Sequence, residues 1–180
     1  NSNKLIKKIN SNSLVETFVQ TVEIVKPSVV LLENVTGIVS LGNGQYFKEL
    51  IQSLENLGYH VDFRIFQSGY YGVPQNRWRF ICIANKHGKE ISFPEPVFNF
   101  HTTAAHNVGD YKRHIVRPIQ DGNTLFGCLD KAPTVFDAIG DLPSLANGGE
   151  YEGEYQKEPE SAFQVWYRHG STKVQNHRSQ

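Results

Sequence analysis

The sequence has no methionine and only two cysteines, Cys82 and Cys128, among its 180 residues. A translated chain begins with methionine, so the first residue, Asn1, leads us to expect an internal piece of a longer protein. Two cysteines provide neither a metal-ligand spacing nor a framework of disulfides, which favours a reducing, intracellular setting. The net charge is zero, so the overall charge neither indicates nor excludes a nucleic-acid partner.

The apolar residues are frequent but dispersed. They make up 39% of the chain, with 11 Phe and 8 Tyr, and no run of them reaches the length of a membrane span. This composition is typical of a folded, aromatic-rich domain, and 180 residues suffice for one domain with a real core.

One apolar run ends in polar side chains and carries most of the functional interpretation. Residues 28–32 are short and β-branched, which predicts a strand that is apolar on both faces, as in the middle of a parallel sheet. Glu33, Asn34 and Val35 follow directly. Because ligands bind beyond the carboxyl ends of such strands, we expect Glu33 to face a cleft.

The elements around this strand alternate between helix and strand. Residues 1–12, with a small basic run, are predicted to form a loop, and the capping box that starts at Ser13 predicts a helix ending before Pro27, with Lys26 extended. The predicted buried stripe of this helix is Leu14, Phe18, Val22 and Val25, widened by Val15 and Val19.

A glycine-rich turn at Gly37, Gly42 and Gly44 lacks the spacing of a phosphate-binding loop and predicts left-handed backbone. Beyond it the sequence predicts a helix over residues 45–57 with Gly58 as its cap, a strand over 61–65, a turn-rich loop, and a strand over 79–84. This order predicts half of an open, doubly wound α/β sheet.

From about residue 85 the pattern becomes irregular, apart from a short helix predicted within residues 134–143. His101, His106 and His114 lie there, but no ligand-like spacing accompanies them, and no metal is predicted.

Gln75, Arg77 and Arg79 are spaced two residues apart at the start of the last strand. On a strand this spacing directs them to one side, near the place where Glu33 emerges. We expect these groups to converge on a shared hollow beside the sheet. The simpler alternative is an ordinary salt bridge between Glu33 and one arginine.

Together, the Glu33-Asn34-Val35 and Gln75-x-Arg77-x-Arg79 motifs resemble those of the cytosine-C5 DNA methyltransferases. The approach over residues 71–77 and the segment 134–143 are also similar to that family, and residues 93–96 look most like its eukaryotic, maintenance-type branch. The resemblance implies a Rossmann-like methyltransferase fold, of which this chain would hold the C-terminal half of the sheet. It divides the chain into a partial α/β core (1–92), an irregular excursion with a lead-in helix (93–145) and the start of a target-recognition region (146–180).

The implied reaction adds a cysteine thiolate to cytosine C6, after which C5 takes the methyl group of S-adenosylmethionine. Glu33 would grip N3 and the exocyclic amine, because a carboxylic acid in a dry pocket can keep its proton. Arg79 would stabilise charge at O2, and Arg77 would contact a phosphate or orient Glu33, although the two arginines could be exchanged. Asn34 and Gln75 would bind the substrate, a flipped cytosine in double-stranded DNA.

The family's nucleophile lies in a Pro-Cys pair before Glu-Asn-Val, and no cysteine precedes Glu33 here. Cys82 is predicted to be a buried core residue, and Cys128 lies in a segment that does not match the position of the family's nucleophile. We therefore expect the nucleophile and the cofactor loop to lie outside this chain, which alone should be inactive. The resemblance also implies a nuclear location. Two alternatives stay open: a tRNA-directed relative, against which Gln75 argues, and a non-catalytic binding module that kept the fold.

Overall fold

The computed structural model describes residues 2–102, 108–118 and 130–179, with side chains from residue 14 onward. It has four α-helices and seven strands in these ranges, joined by short 3-10 helices. The helices are α1 (Ser2–Val25), α2 (Gln45–Asn56), α3 (Val135–Ile139) and α4 (Ala162–Tyr167). The strands are β1 (Val29–Asn34), β2 (His60–Gln67), β3 (Trp78–Asn85), β4 (Phe98–Asn99), β5 (Asp130–Lys131), β6 (Glu150–Glu154) and β7 (Lys173–Arg178). None of the described helices has the length and apolar character needed to cross a membrane.

Helix α1 begins much earlier than the sequence predicts. Its backbone is helical from Ser2, so the prediction of a loop over residues 1–12 is wrong, and Ser13 lies inside the helix rather than at its cap. No glycine or proline occurs before Pro27, so nothing in the sequence interrupts the helix, and a Ser-x-x-Glu pattern alone does not start one.

The buried face of α1 is also rotated relative to the prediction. Val22 is buried and Val15, Phe18 and Val19 pack against the core, as expected for i, i+3, i+4 and i+7 spacing. Leu14 and Val25, predicted to be buried, are 71% and 65% exposed.

Lys26 ends α1 in a left-handed conformation, with φ +51°, and donates its N–H to the Val22 carbonyl. The prediction that Pro27 keeps Lys26 extended is therefore wrong. The hydrogen bond that closes the helix outweighs the steric preference of the residue before a proline.

The central sheet has the order β1-β3-β2, and β3 pairs antiparallel with both neighbours. The sequence predicted β1 in the middle of a parallel sheet. In the described structure β1 instead lies at an edge of the sheet, and Val29 and Leu31 on one of its faces are more than half exposed. The order of helices and strands along this part of the chain is as predicted.

The core lies on the other face of the sheet. Side chains from all three strands, including Val30, Phe63 and Phe80, meet α2 through Phe47 and Leu50. The Phe47 ring makes edge contacts with the rings of Phe63 and Phe80, at centroid distances of 4.8 and 5.4 Å. This face is covered by α1 and α2, which leaves the face carrying Leu31 and Glu33 open.

Helix α2 follows its prediction closely. Phe47, Leu50 and Leu54 are almost completely buried. Gly58 has φ +84°, and the N–H groups of Gly58 and Tyr59 bind the carbonyls of Glu55 and Leu54, which closes the helix with a Schellman motif.

The last part of the chain forms a two-stranded sheet of its own. Strands β6 and β7 pair antiparallel, with Glu154 opposite Lys173 and Glu150 opposite Arg178. The short helix α3 has the predicted position, and the Thr134 and Asp137 side chains cap it reciprocally. Helix α3 is held near α4 by the buried Gln164, which donates to the Phe136 carbonyl.

Candidate functional site

The structure places Glu33 and Arg79 in direct contact. Glu33 lies opposite Ile81 in the β1–β3 register, so Arg79, two residues earlier on β3, shares its face. Arg79 Nε donates to Glu33 Oε1 at 2.7 Å, and Arg79 Nη1 donates to the Trp78 carbonyl. The ion pair that the sequence offered as the simpler alternative is therefore present, and it involves Arg79 rather than Arg77.

This ion pair lies on the open face of the sheet. The Glu33 side chain is 53% exposed and that of Arg79 is 20% exposed. The described residues therefore do not enclose Glu33 in the dry hollow that the sequence interpretation expected. The same face carries a second pair, Arg64 with Asp62, on strand β2.

Gln75 and Arg77 lie in the loop before β3, which begins at Trp78. The alternation rule of a strand therefore does not set their direction, as the sequence interpretation assumed. The side chains of both residues are exposed. Their backbones are fixed: Ser68 Oγ donates to the Gln75 carbonyl at 2.7 Å, and the Ser68 N–H donates to the Arg77 carbonyl at 2.9 Å.

Asn34 is not brought to the same face as Glu33. It lies opposite Phe80 in the register, and its Oδ1 accepts the N–H of Val35 at 2.8 Å. In this arrangement the Asn34 side chain shapes the turn that leaves β1.

The loop of residues 68–77 is clamped from outside by the segment that follows β3. The Tyr71 hydroxyl donates to the Pro94 carbonyl at 2.8 Å, and the Val97 N–H donates to the Tyr70 carbonyl at 2.9 Å. A Cβ on Gly69 would overlap the ring of Phe100, so only glycine permits this approach. The irregular excursion of the sequence analysis thus supports the loop that carries Gln75 and Arg77.

One residue that the sequence interpretation did not select also holds this loop. Gln67, the last residue of β2, is completely buried, and its side chain contacts the loop backbone. The signal was present in the sequence: the alternation of Val61, Phe63 and Ile65 places Gln67 on the buried face.

A polar cavity of about 640 Å³ lies beside the same loop, next to the segment of residues 99–102. Its lining includes Tyr70, Arg117 and Lys131 but neither Glu33 nor the arginines of the motif. Over the described ranges, no three His, Cys, Asp or Glu side chains are grouped as metal ligands; His106 lies outside those ranges.

Cys82 is buried in the middle of β3, as predicted, with 1% of its surface exposed. Burial raises the pKa of its thiol to about 12, and the nearby Asp62 carboxylate acts in the same direction. A thiol of this kind is a poor nucleophile at neutral pH. Cys128 lies outside the described residues.

The sequence model of the family described as C-5 cytosine-specific DNA methylase matches residues 3–158. The chain belongs to this family. The match spans the Glu33-Asn34-Val35 stretch, the Gln75-to-Arg79 stretch and the α3 segment, so the resemblance noted from the motifs is confirmed.

Members of the C-5 cytosine-specific DNA methylase family from animals and plants are similar to this chain over most of its length. It is 35% identical over 161 residues to DNA (cytosine-5)-methyltransferase PliMCI of Paracentrotus lividus, covering 85% of this chain and 10% of that protein. It is 34% identical over 169 residues to DNA (cytosine-5)-methyltransferase 1B of Oryza sativa, covering 92% and 11%. The chain thus spans about a tenth of the length of these curated relatives.

The fold is also found in a solved structure, that of a protein described as a DNA modification methyltransferase encoded within an E. coli prophage. The likeness has a TM-score of 0.53 at 20% identity and covers 85% of this chain and 38% of that one. At this identity the likeness concerns the fold alone.

Proposed function

We propose that the protein containing this chain methylates C5 of cytosine in double-stranded DNA, with S-adenosylmethionine as the methyl donor. The observation that carries the proposal is the family match over residues 3–158, which includes Glu33 and Arg79, two groups in contact at 2.7 Å on one face of the sheet. The animal and plant relatives are named DNA (cytosine-5)-methyltransferases, which supports DNA rather than tRNA as the substrate.

The pair complements one edge of a flipped cytosine. That edge presents O2, N3 and the exocyclic amine in a row. In the proposed complex the bound base separates the ion pair: a protonated Glu33 donates to N3, its other oxygen accepts from the amine, and the Arg79 guanidinium turns from Glu33 to O2. The contact between Arg79 and Glu33 supports the part of this proposal that makes the two groups neighbours. A positioned donor of this kind stabilises the negative charge that develops on the ring.

Arg77, Gln75 and Asn34 have different proposed tasks. Arg77 is exposed at the rim of the loop, which suits contact with a DNA phosphate. Gln75 is exposed on the same loop and is proposed to bind the substrate beside it. Asn34 is proposed to support substrate binding indirectly, because its side chain accepts the Val35 N–H and so fixes the turn that follows Glu33.

The glycine turn after β1 does not offer a cradle for the cofactor. The turn after β1 contains Gly42, but a Cβ there would overlap the Tyr46 ring, so this glycine accommodates Tyr46 rather than a ligand. We therefore propose that the cofactor loop and the cysteine nucleophile belong to other parts of the protein.

The proposed organisation follows the same logic. Residues 1–92 form a part of the catalytic α/β core with the C-terminal half of its doubly wound, Rossmann-like sheet, residues 93–145 form the excursion and the lead-in helix, and residues 146–180 begin the target-recognition region. The separate pairing of β6 with β7 supports the last boundary. The maintenance-type character of the sequence supports a nuclear location.

The test is methyl transfer by the whole protein to duplex DNA and, in parallel, to tRNA. We expect transfer to DNA, and we expect Glu33→Gln to remove most of the rate, because an amide cannot transfer a proton to N3. The matched control is Glu55→Gln, which makes the same change at an exposed position of α2.

Transfer to tRNA in preference to DNA would replace the proposed substrate. A Glu33→Gln enzyme that methylates DNA at the wild-type rate would show that Glu33 is only a partner of Arg79. A whole protein with no transfer to either substrate would favour the non-catalytic binding module.

A further inference from the structure

The side chain of Gln67 makes five hydrogen bonds from a completely buried position. Its Oε1 accepts the backbone N–H groups of Arg77 at 3.0 Å and of Gly69 at 3.2 Å, and the Ser68 hydroxyl at 3.3 Å. Its Nε2 donates to Asn76 Oδ1 at 2.7 Å and to Thr102 Oγ1 at 3.4 Å. Both lone pairs of the amide oxygen and both N–H groups are thereby used.

These contacts also fix which way the amide points. Reversing it would place the NH₂ group of Gln67 against the N–H groups of Arg77 and Gly69, with no acceptor between them. Thr102 Oγ1 donates to the same Asn76 Oδ1 at 3.1 Å, so Gln67, Asn76 and Thr102 form a closed triangle. The triangle ties the end of β2 to the loop before β3 and to the segment that packs on this loop.

Among the residues of the candidate site, Arg77 is the one that Gln67 contacts directly. Both backbone groups of Arg77 are held by the end of β2, since its N–H binds Gln67 and its carbonyl accepts the N–H of Ser68. The exposed Arg77 side chain, by contrast, makes no hydrogen bond or ion pair with the residues that the structure describes. Its direction therefore depends on the backbone that Gln67 fixes.

We propose that Gln67 is a positioning residue that sets the place of Arg77, and through Trp78 the start of β3, for the methyl transfer. The inference rests on the proposed function, since it assigns a role within that reaction. Gln67 touches no substrate in this arrangement; it acts through the backbone of the loop.

The experiment compares Gln67→Met with the wild-type whole protein in single-turnover methylation of duplex DNA. We expect the rate constant to fall about ten- to a hundred-fold, because misplacement of a substrate-binding group by about 1 Å has effects of this size. The amplitude, which counts active molecules, should stay near that of the wild type. A residue needed only for folding would instead lower the amplitude and leave the rate constant unchanged.

Asn85→Leu is the matched control. Asn85 lies at the far end of β3, is also buried, and holds a turn through the backbone of His87 and Lys89. Its loss removes a comparable set of amide contacts away from Arg79, so its rate constant should match that of the wild type.

A second pair of variants keeps the test valid if Gln67→Met does not fold. Gln67→Glu should retain most of the rate, because Arg77, Gly69 and Thr102 can all donate to a carboxylate and Asn76 can turn its NH₂ group towards it. Adding Asn76→Asp to that variant places two carboxylates in contact, and the rate constant should then fall as it does for Gln67→Met.

Hydrogen exchange of the peptide covering residues 68–77 gives a readout that does not depend on activity. Faster exchange in Gln67→Met together with a lower rate constant supports the proposal. The positioning role alone is overturned if the wild-type enzyme is active and Gln67→Met has the same rate constant. It is also overturned if Asn85→Leu lowers the rate constant as much as Gln67→Met does. A wild-type protein with no transfer to DNA overturns the proposed function, and the positioning role with it, whatever the exchange shows.

Discussion

Replacing Arg79 with lysine should separate the catalytic role of the Glu33–Arg79 pair from its structural role. The pair is short, at 2.7 Å, but the Glu33 side chain is 53% exposed, so solvent screens it. Exposed ion pairs contribute about 0.2–1 kcal/mol to stability, and a lysine can keep part of that. In the reaction, however, lysine offers a point charge in place of a planar fork of donors. Loss of a donor aimed at developing charge costs about 3 kcal/mol, or roughly a hundred-fold in rate.

The assay is single-turnover methylation of duplex DNA by the whole protein, together with its thermal midpoint. Arg64→Lys is the control, because Arg64 also pairs with a carboxylate, Asp62, on the same face of the sheet. We expect Arg79→Lys to lose about a hundred-fold in rate with a midpoint within a few degrees of the wild type, while Arg64→Lys keeps its rate. If Arg79→Lys methylates as fast as Arg64→Lys, the guanidinium has no special role at the base.

Two further predictions concern residues around the core. Burial raises the pKa of the Cys82 thiol to about 12. In the folded protein Cys82 should therefore resist alkylation at pH 8 and react only after denaturation. Modification of Cys82 in the native protein at the rate of a free thiol would contradict its buried position. Burial lowers the pKa of His114 below its usual 6.5, and Arg113 and Arg64 act in the same direction against the hydrogen bond to the Phe63 carbonyl and against Asp62. The unfolded chain therefore binds this proton more readily, so stability should begin to fall as the pH drops towards 6.5 and should go on falling until the lower pKa of the folded state is passed. Thermal midpoints over this range should depend less on pH in His114→Gln, and equal slopes would refute the assignment.

The elements that the sequence predicted well are those whose signals are local. The stripe of Phe47, Leu50 and Leu54, followed by Gly58, specifies both the buried face and the end of α2, and the structure confirms each feature. Alternation in β2 similarly predicted the burial of Phe63 and Ile65. These patterns depend only on the period of the element and on the backbone freedom of one glycine.

The predictions that failed depended on neighbours that the pattern does not specify. An apolar run predicts that β1 is a strand, but it does not determine which strand lies beside it, and Leu31 is 66% exposed. In the same way, Lys26 adopts left-handed backbone because its N–H reaches the Val22 carbonyl, which no rule about the residue before a proline includes. Gln67 was missed because a polar side chain at the end of a strand is usually assigned to solvent, although alternation placed it inside.

The failure to predict the antiparallel strand has a consequence for the site. In an all-parallel sheet, the carboxyl end of β1 and the start of β3 would lie at opposite ends of the strands, about 20 Å apart for a strand of six residues. Glu33 and Arg79 could not then meet. They meet because β3 enters between β1 and β2 in the opposite direction, so that it starts where both of its neighbours end. The connection from β2 into β3 therefore brings Arg79 to Glu33. The buried Gln67 side chain holds this connection, because it binds the N–H of Arg77.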